Sequence, residues 1–202
     1  MIAFEDHAAG LRFMVPADWD LKTDDLLQPL TAAVSAPLRQ DNTDDWVREQ
    51  KAIAQEQKLW EMAANPDFNG DELDELLDDQ TEQAVVFAGR WEHLFEAAPG
   101  VEELLDGAVW LARSYGEFFE FFPDSPVEAV DHSRRKITVG GRPAATVSYR
   151  IVAEQGGRNS GYLRAVVVHL AEGRVSFAFG LAKPDEDRLI IDTILDSVTP
   201  LA

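Results

Sequence analysis

The sequence predicts an α+β fold: an antiparallel sheet covered by helices, an α/β/α sandwich, carrying an acidic helical hairpin as an insertion. Three observations predict it. Apolar residues alternate with period two from about 136 to 182, with glycine-containing turns between the runs. Apolar residues recur at helical spacing over 101–119 and 185–198. Charge is segregated: residues 41–82 hold 3 basic and 14 acidic residues, net −11, in a chain with 18 basic and 37 acidic residues, net −19. The division expected is one domain, with 1–40 and 99–202 forming the sandwich core and 41–98 the insertion.

In chain order, Ile2 and Phe4 alternate with polar neighbours, Gly10 permits a turn, and Leu11, Phe13 and Val15 alternate before Pro16. These read as two strands. Ala32 to Leu38 reads as a further strand, with Pro37 suited to an edge or an end. Asp41, Asn42, Thr43 and Asp44 offer cap oxygens before Trp46, and no Gly or Pro follows until Asn65-Pro66. Trp46, Ile53 and Trp60 recur every seven residues. After Asn65 to Gly70 a second helix is expected from Asp71, along the seam Leu73, Leu77, Gln80, Ala84, Phe87, Trp91, Leu94 and Ala98, ended by Pro99-Gly100. Two narrow-seamed helices on a short loop predict an antiparallel hairpin, either projecting from the core or lying on its sheet.

The chain then returns to the core. A helix over 101–119 buries Leu104, Leu105, Ala108, Val109, Ala112, Tyr115 and Phe119. Strands follow around Gly140-Gly141, Gly156-Gly157 and Glu172-Gly173, which implies an antiparallel meander. Pro184 opens a closing helix with Leu189, Ile190, Ile191, Ile194, Leu195 and Val198 on its apolar side.

Three short motifs carry a family resemblance. Leu11 to Val15 with Pro16 and Trp19 resembles the V-P-x-x-W opening of the PsbP-like fold. Gly141-Arg142-Pro143-Ala144, leading into a strand through Tyr149, resembles its G-R-P-A turn. Ile194-Leu195-Asp196-Ser197-Val198 resembles its terminal I-L-x-S-V/F helix. The actinobacterial LpqN-like proteins share this layout, and the resemblance covers about 1–38 and 100–202. It implies a non-catalytic binding or assembly role. The sequence departs from the LpqN-like pattern in its acidic insertion 41–98 and in its first ten residues. These carry Glu5, Asp6 and His7, with neither a basic start nor a long apolar run, so no signal peptide is expected.

Chemistry-bearing patterns are sparse. The chain has no cysteine, which excludes disulfides, thiol catalysis and thiolate metal sites. His7, His93, His132 and His169 are spread apart; His93 with Glu96 could place two ligands on one helix face, but a metal site there would need several more. Asn65 to Asp71 places calcium-type ligands at alternate positions, but Leu76 stands where the loop needs Glu. Gly157 to Gly161 sets its serine one place late for a nucleophile elbow, and there is neither a phosphate loop nor a dinucleotide fingerprint. No catalytic, cofactor or metal residues are assigned.

The expectation is therefore a cytoplasmic interaction or assembly protein. Its acidic arm would take a protein partner of basic character, through Trp46, Trp60, Phe68, Asp74, Asp78 and Asp79. Net charge −19 argues against nucleic acid and anionic membranes as partners, and the oligomeric state is open. The alternative is a small-ligand carrier or enzyme with a pocket between sheet and helices near Phe118 to Phe122 and Arg134 to Lys136.

Overall fold

Residues 1–24, 26, 29–37, 84–93, 98–118, 131–151, 161–171, 173–182 and 187–201 are described by a computed structural model, with the side chains of His93, Glu117, Phe118, Asp131 and Ile151 left aside. The chain divides into two units, Met1–Pro37 with Gln83–Ala202, and Leu38–Glu82. The described residues belong to the first. Their elements are β1 (Ile2–Asp6), β2 (Leu11–Val15), β3 (Asp20–Lys22), β4 (Leu30–Ser35), β5 (Val85–Arg90), α1 (Leu104–Phe118), β6 (Asp131–Val139), β7 (Arg142–Ile151), β8 (Gly161–Ala171), β9 (Arg174–Ala182), α2 (Arg188–Asp196) and β10 (Thr199–Pro200).

Period-two patterning does the main work. β3-β4-β5-β9-β8-β7-β6 form a seven-stranded sheet, and every pairing in it is antiparallel. Successive residues of β8 and β9 serve opposite faces. Leu163, Ala165, Val167, Phe177, Phe179 and Leu181 pack under Leu104, Ala108, Leu111 and Ala112 of α1. Val166, Val168, Ala178 and Ala182 pack with Ile191, Ile194 and Leu195 of α2. Both faces of the central strands are covered, so β8 is buried from Gly161 to Val168. The α+β sandwich expected from the sequence is the fold found.

Close packing of α2 depends on one small residue. A Cβ at Gly180 would fall 2.5 Å from Ile191 Cγ2, so the glycine lets the helix axis approach β9. The β6–β7 turn depends on two others: Gly140 and Gly141 both have positive φ, 54° and 77°, as a two-residue hairpin turn requires.

Three expectations are corrected. Residues 2–15 do not join the main sheet: β1, β2 and β10 form a three-stranded sheet of their own. β2 has both edges occupied, by β1 and by Thr199-Pro200, and its Leu11, Phe13 and Val15 face α2 and the large sheet. Secondly, the helix expected over 71–98 fails at 85–90, which is the strand between β4 and β9. Val86 and Ala88 enter one core while Val85 and Phe87 pack on the other, so these apolar residues satisfy period two as well as the seam. Gly89 closes the case: a Cβ there would stand 2.5 Å from Phe177 Cζ and 2.6 Å from the Pro29 carbonyl oxygen. Trp91, the next seam position, lies in a 3-10 turn, buried in the core beneath α1. Thirdly, element ends shift: β6 begins at Asp131 rather than 136, and the closing helix spans Arg188–Asp196 rather than 185–198. The rest of the expected hairpin, 41–83 and 94–97, lies outside the described residues.

The three motif segments turn out to be joints. Trp19 N–H bonds the Pro16 carbonyl at 3.3 Å, and its ring packs on the core around α2. Ser197 Oγ accepts from the Met14 N–H at 2.7 Å and donates to the Ile194 carbonyl at 2.6 Å, which ties the end of α2 to β2. Gly141 makes the β6–β7 turn.

Candidate functional site

Period two places Tyr162, Arg164 and Val166 of β8 on the face that α2 covers. Helical spacing places Asp192 and Asp196 one turn apart on α2. The result is a polar cluster at the edge of an apolar interface. Arg164, 8 % exposed, donates from Nη1 to Asp192 Oδ1 at 2.9 Å and from Nη2 to Asp196 Oδ1 at 2.6 Å. Its Nε donates to Thr146 Oγ1 at 3.3 Å, and Thr146 donates to the Ala165 carbonyl at 2.9 Å. Tyr162 Oη donates to the same Asp192 Oδ1 at 2.6 Å, and the Arg188 guanidinium lies 6.0 Å from the Tyr162 ring centre.

Electrostatics follow from these contacts. Burial works against the charged form of Arg164, but the bonds and charges of Asp196 and Asp192 outweigh it, so the guanidinium is held above its ordinary value. Burial raises Tyr162, and the Asp192 bond and charge add to it against Arg164 and Ser148. The phenol is therefore fixed as a donor. With two donors on one oxygen, Asp192 is occupied as an anchor. The cluster is a clasp between sheet and helix, made of charge-assisted bonds.

The other buried polar side chains are committed in the same way. Asp6, 4 % exposed, accepts from the Ala9 N–H at 2.9 Å and from Thr31 Oγ1 at 2.5 Å, which joins the small sheet to β4. Ser176 donates to the Ala9 carbonyl.

The described hollow lies on the outer side of α1. It has a volume of about 420 Å³ and is lined by Asp106, Val109, Trp110, Arg113 and Ser114. Trp110 is 37 % exposed, and its ring centre is 5.5 Å from that of Trp91. Tyr115, on the inner side, stacks on Phe179 at 4.4 Å, and burial pushes its phenol up to about 12.

Of the residues singled out from the sequence, Trp46, Trp60, Phe68, Asp74, Asp78 and Asp79 lie outside the described residues, as does the calcium-like loop. Phe119 to Phe122 lie outside them too. Arg134, Arg135 and Lys136 stand exposed on β6, and Lys136 Nζ donates to Glu102 Oε2 at 3.0 Å. His132, on the same strand, lies 6.4 Å from the Tyr149 ring. Among the described residues no group of three or more His, Asp or Glu is placed to hold a metal, and no helix is long and apolar enough to cross a membrane. Sequence reasoning missed the Arg164 clasp. Its one local signal is an arginine inside the apolar run 161–168.

No family model matches the chain, and no curated protein matches it. Among solved structures it is similar to cyanobacterial PsbP from Synechocystis sp. PCC 6803, with 14% identity, covering 98% of this chain and 91% of that one, at a TM-score of 0.49. It is also similar to LpqN of Mycobacterium tuberculosis, a protein involved in cell envelope biogenesis, with 11% identity, 100% and 90% coverage and a TM-score of 0.47. Both are of the PsbP-like and LpqN-like kind to which the sequence motifs point, and the likeness is one of fold.

Proposed function

We propose that this is a non-catalytic interaction or assembly protein of the cytoplasm, in which an α+β base carries an acidic segment that binds a basic protein partner. One observation carries the reading: the charge is segregated by unit. Leu38–Glu82 holds 4 basic and 14 acidic residues, net −10, while the remaining residues hold 14 and 23, net −9. More than half of the excess charge thus sits on the smaller unit. Like charges concentrated in one short segment repel one another, a tendency that an opposite surface relieves. The commitment of Asp6, Thr146, Arg164 and Ser176 to joints between elements supports a non-catalytic base.

The test is association of the captured partner with the full chain, with a chain lacking 38–82, and with the triple variant Asp74→Asn, Asp78→Asn, Asp79→Asn. Binding should be lost with the deletion, slowed by the triple variant, and weakened steeply by salt, because exposed charges are screened. Salt-insensitive binding, or binding that survives the deletion, would mean that the acidity serves solubility alone.

A further inference from the structure

We propose that the outer edge of β6 is a docking site for an extended acidic segment of a partner protein, which adds to the seven-stranded sheet as a further strand. This edge belongs to the larger unit and is opposite in charge to Leu38–Glu82.

The two ends of the large sheet differ. β3 is three residues long, whereas β6 runs for nine, and among the described residues no strand pairs with its outer side. A long edge presents a row of backbone donors and acceptors to any chain that can lie along it. The turn fixes which ones face out. Gly140-Gly141 closes Val139 against Arg142, so inward hydrogen bonding falls at Val139, Ile137, Arg135 and Ser133. The peptide groups of His132, Arg134, Lys136 and Thr138 face outward. Pro143, which has no N–H to give, stands opposite Thr138, in keeping with this alternation.

Charge selects the occupant. Residues 131–151 hold five basic residues, Arg134, Arg135, Lys136, Arg142 and Arg150, and one acidic residue, Asp131, net +4 in a chain of net −19. Arg134, Arg135 and Lys136 are all exposed. Strand alternation sends Arg134 and Lys136 to the α1 side and Arg135 to the other. An added strand with carboxylates on either face therefore meets a cation. Glu102 already shows the contact, since its carboxylate accepts from Lys136 Nζ at 3.0 Å on the α1 side. The same charge acts against the commonest wrong partner. A second copy of this edge would set cations opposite cations, which disfavours sheet-to-sheet pairing. Nucleic acid and anionic membrane carry no row of peptide N–H and C=O groups to pair with the edge.

The test uses the full chain and a fluorescein-labelled ten-residue peptide alternating glutamate with valine, read by fluorescence anisotropy. A lysine–valine peptide and phosphatidylserine vesicles are the comparison arms. The glutamate peptide should bind, the lysine peptide should not, and binding should weaken with salt. The triple reversal Arg134→Glu, Arg135→Glu, Lys136→Glu should weaken binding by about tenfold or more. Thr138→Pro removes an outward N–H without changing charge and should also weaken binding, while Thr138→Ala should not. If Thr138→Pro fails to fold, amide exchange in the unaltered protein decides. Addition of peptide should protect the N–H groups of Arg134 and Lys136 and leave Ile137, already bonded to β7, unchanged. No binding, equal binding of the lysine peptide, binding to vesicles alone, or binding without that alternating protection overturns the proposal.

Discussion

Excising residues 38–82 and joining Pro37 to Gln83 through a short Asn-Gly link should leave a folded, more stable protein. The structure supplies the reason. β4 and β5 are already paired up to Ser35 and Val85, and the Ala36 N–H donates to the Ala84 carbonyl at 2.8 Å. Ala36 and Ala84, which flank the excised segment, therefore stand at hairpin distance. Closing a loop of 45 residues, the length of Leu38–Glu82, rather than one of about four costs an extra (3/2)RT ln of the ratio, about 2 kcal/mol. Net charge would fall from −19 to −9 by removal of 14 acidic and 4 basic residues, which also lowers self-repulsion. With a urea slope of about 2 kcal/mol per M, the unfolding midpoint should rise by about 1 M. Urea titration followed by circular dichroism measures it. A chain that fails to fold, or one less stable by several kcal/mol, would refute the reasoning, because it would show that 38–82 helps hold the rest together. Excising 41–98 is the contrasting arm. It removes β5 from between β4 and β9 and should abolish folding.

Arg164→Met should destabilise by about 1–3 kcal/mol, because its charge-assisted hydrogen bonds to Asp192 and Asp196 are lost while those carboxylates remain partly in water; amide exchange should rise first in 188–196, and exchange rising uniformly instead would argue against a clasp on α2. Gly180→Ala should cost about 1–3 kcal/mol, since its Cβ would be driven to 2.5 Å from Ile191 Cγ2, and thermal unfolding of the variant would reveal a wrong packing argument by an unchanged midpoint. Tyr115 has its pKa raised from 10.0 to about 12 by burial, so the folded chain keeps a proton that the unfolded chain loses. The stability this contributes is present below pH 10 and is lost as pH rises from 10 through 12. Tyr115→Phe should flatten that part of the stability profile, and an equal fall in the variant would assign the loss to other groups.

The meander from Arg142 to Ala182 was legible in the sequence because its information is local: alternation and glycine turns at 140–141 and 173 specify strands whatever lies beside them. The same holds for the buried faces of 104–112 and 191–195, where helical spacing points to the residues that enter the two cores. The segregation of charge onto 41–82 also needed nothing more than the sequence. Tertiary structure alone decided what becomes of 84–91. Its apolar residues fit a seven-residue seam and a two-residue alternation alike, and only the vacancy between β4 and β9 makes the second win. It alone separated β1 and β2 from the main sheet, because that depends on Thr199 and Pro200 returning to the free edge of β2. And it alone assembled the clasp of Arg164 with Asp192 and Asp196, partners 28 and 32 residues away. A charge in an apolar strand announces that it needs a counter-charge, but which carboxylate supplies it is settled only when a helix is laid across the sheet.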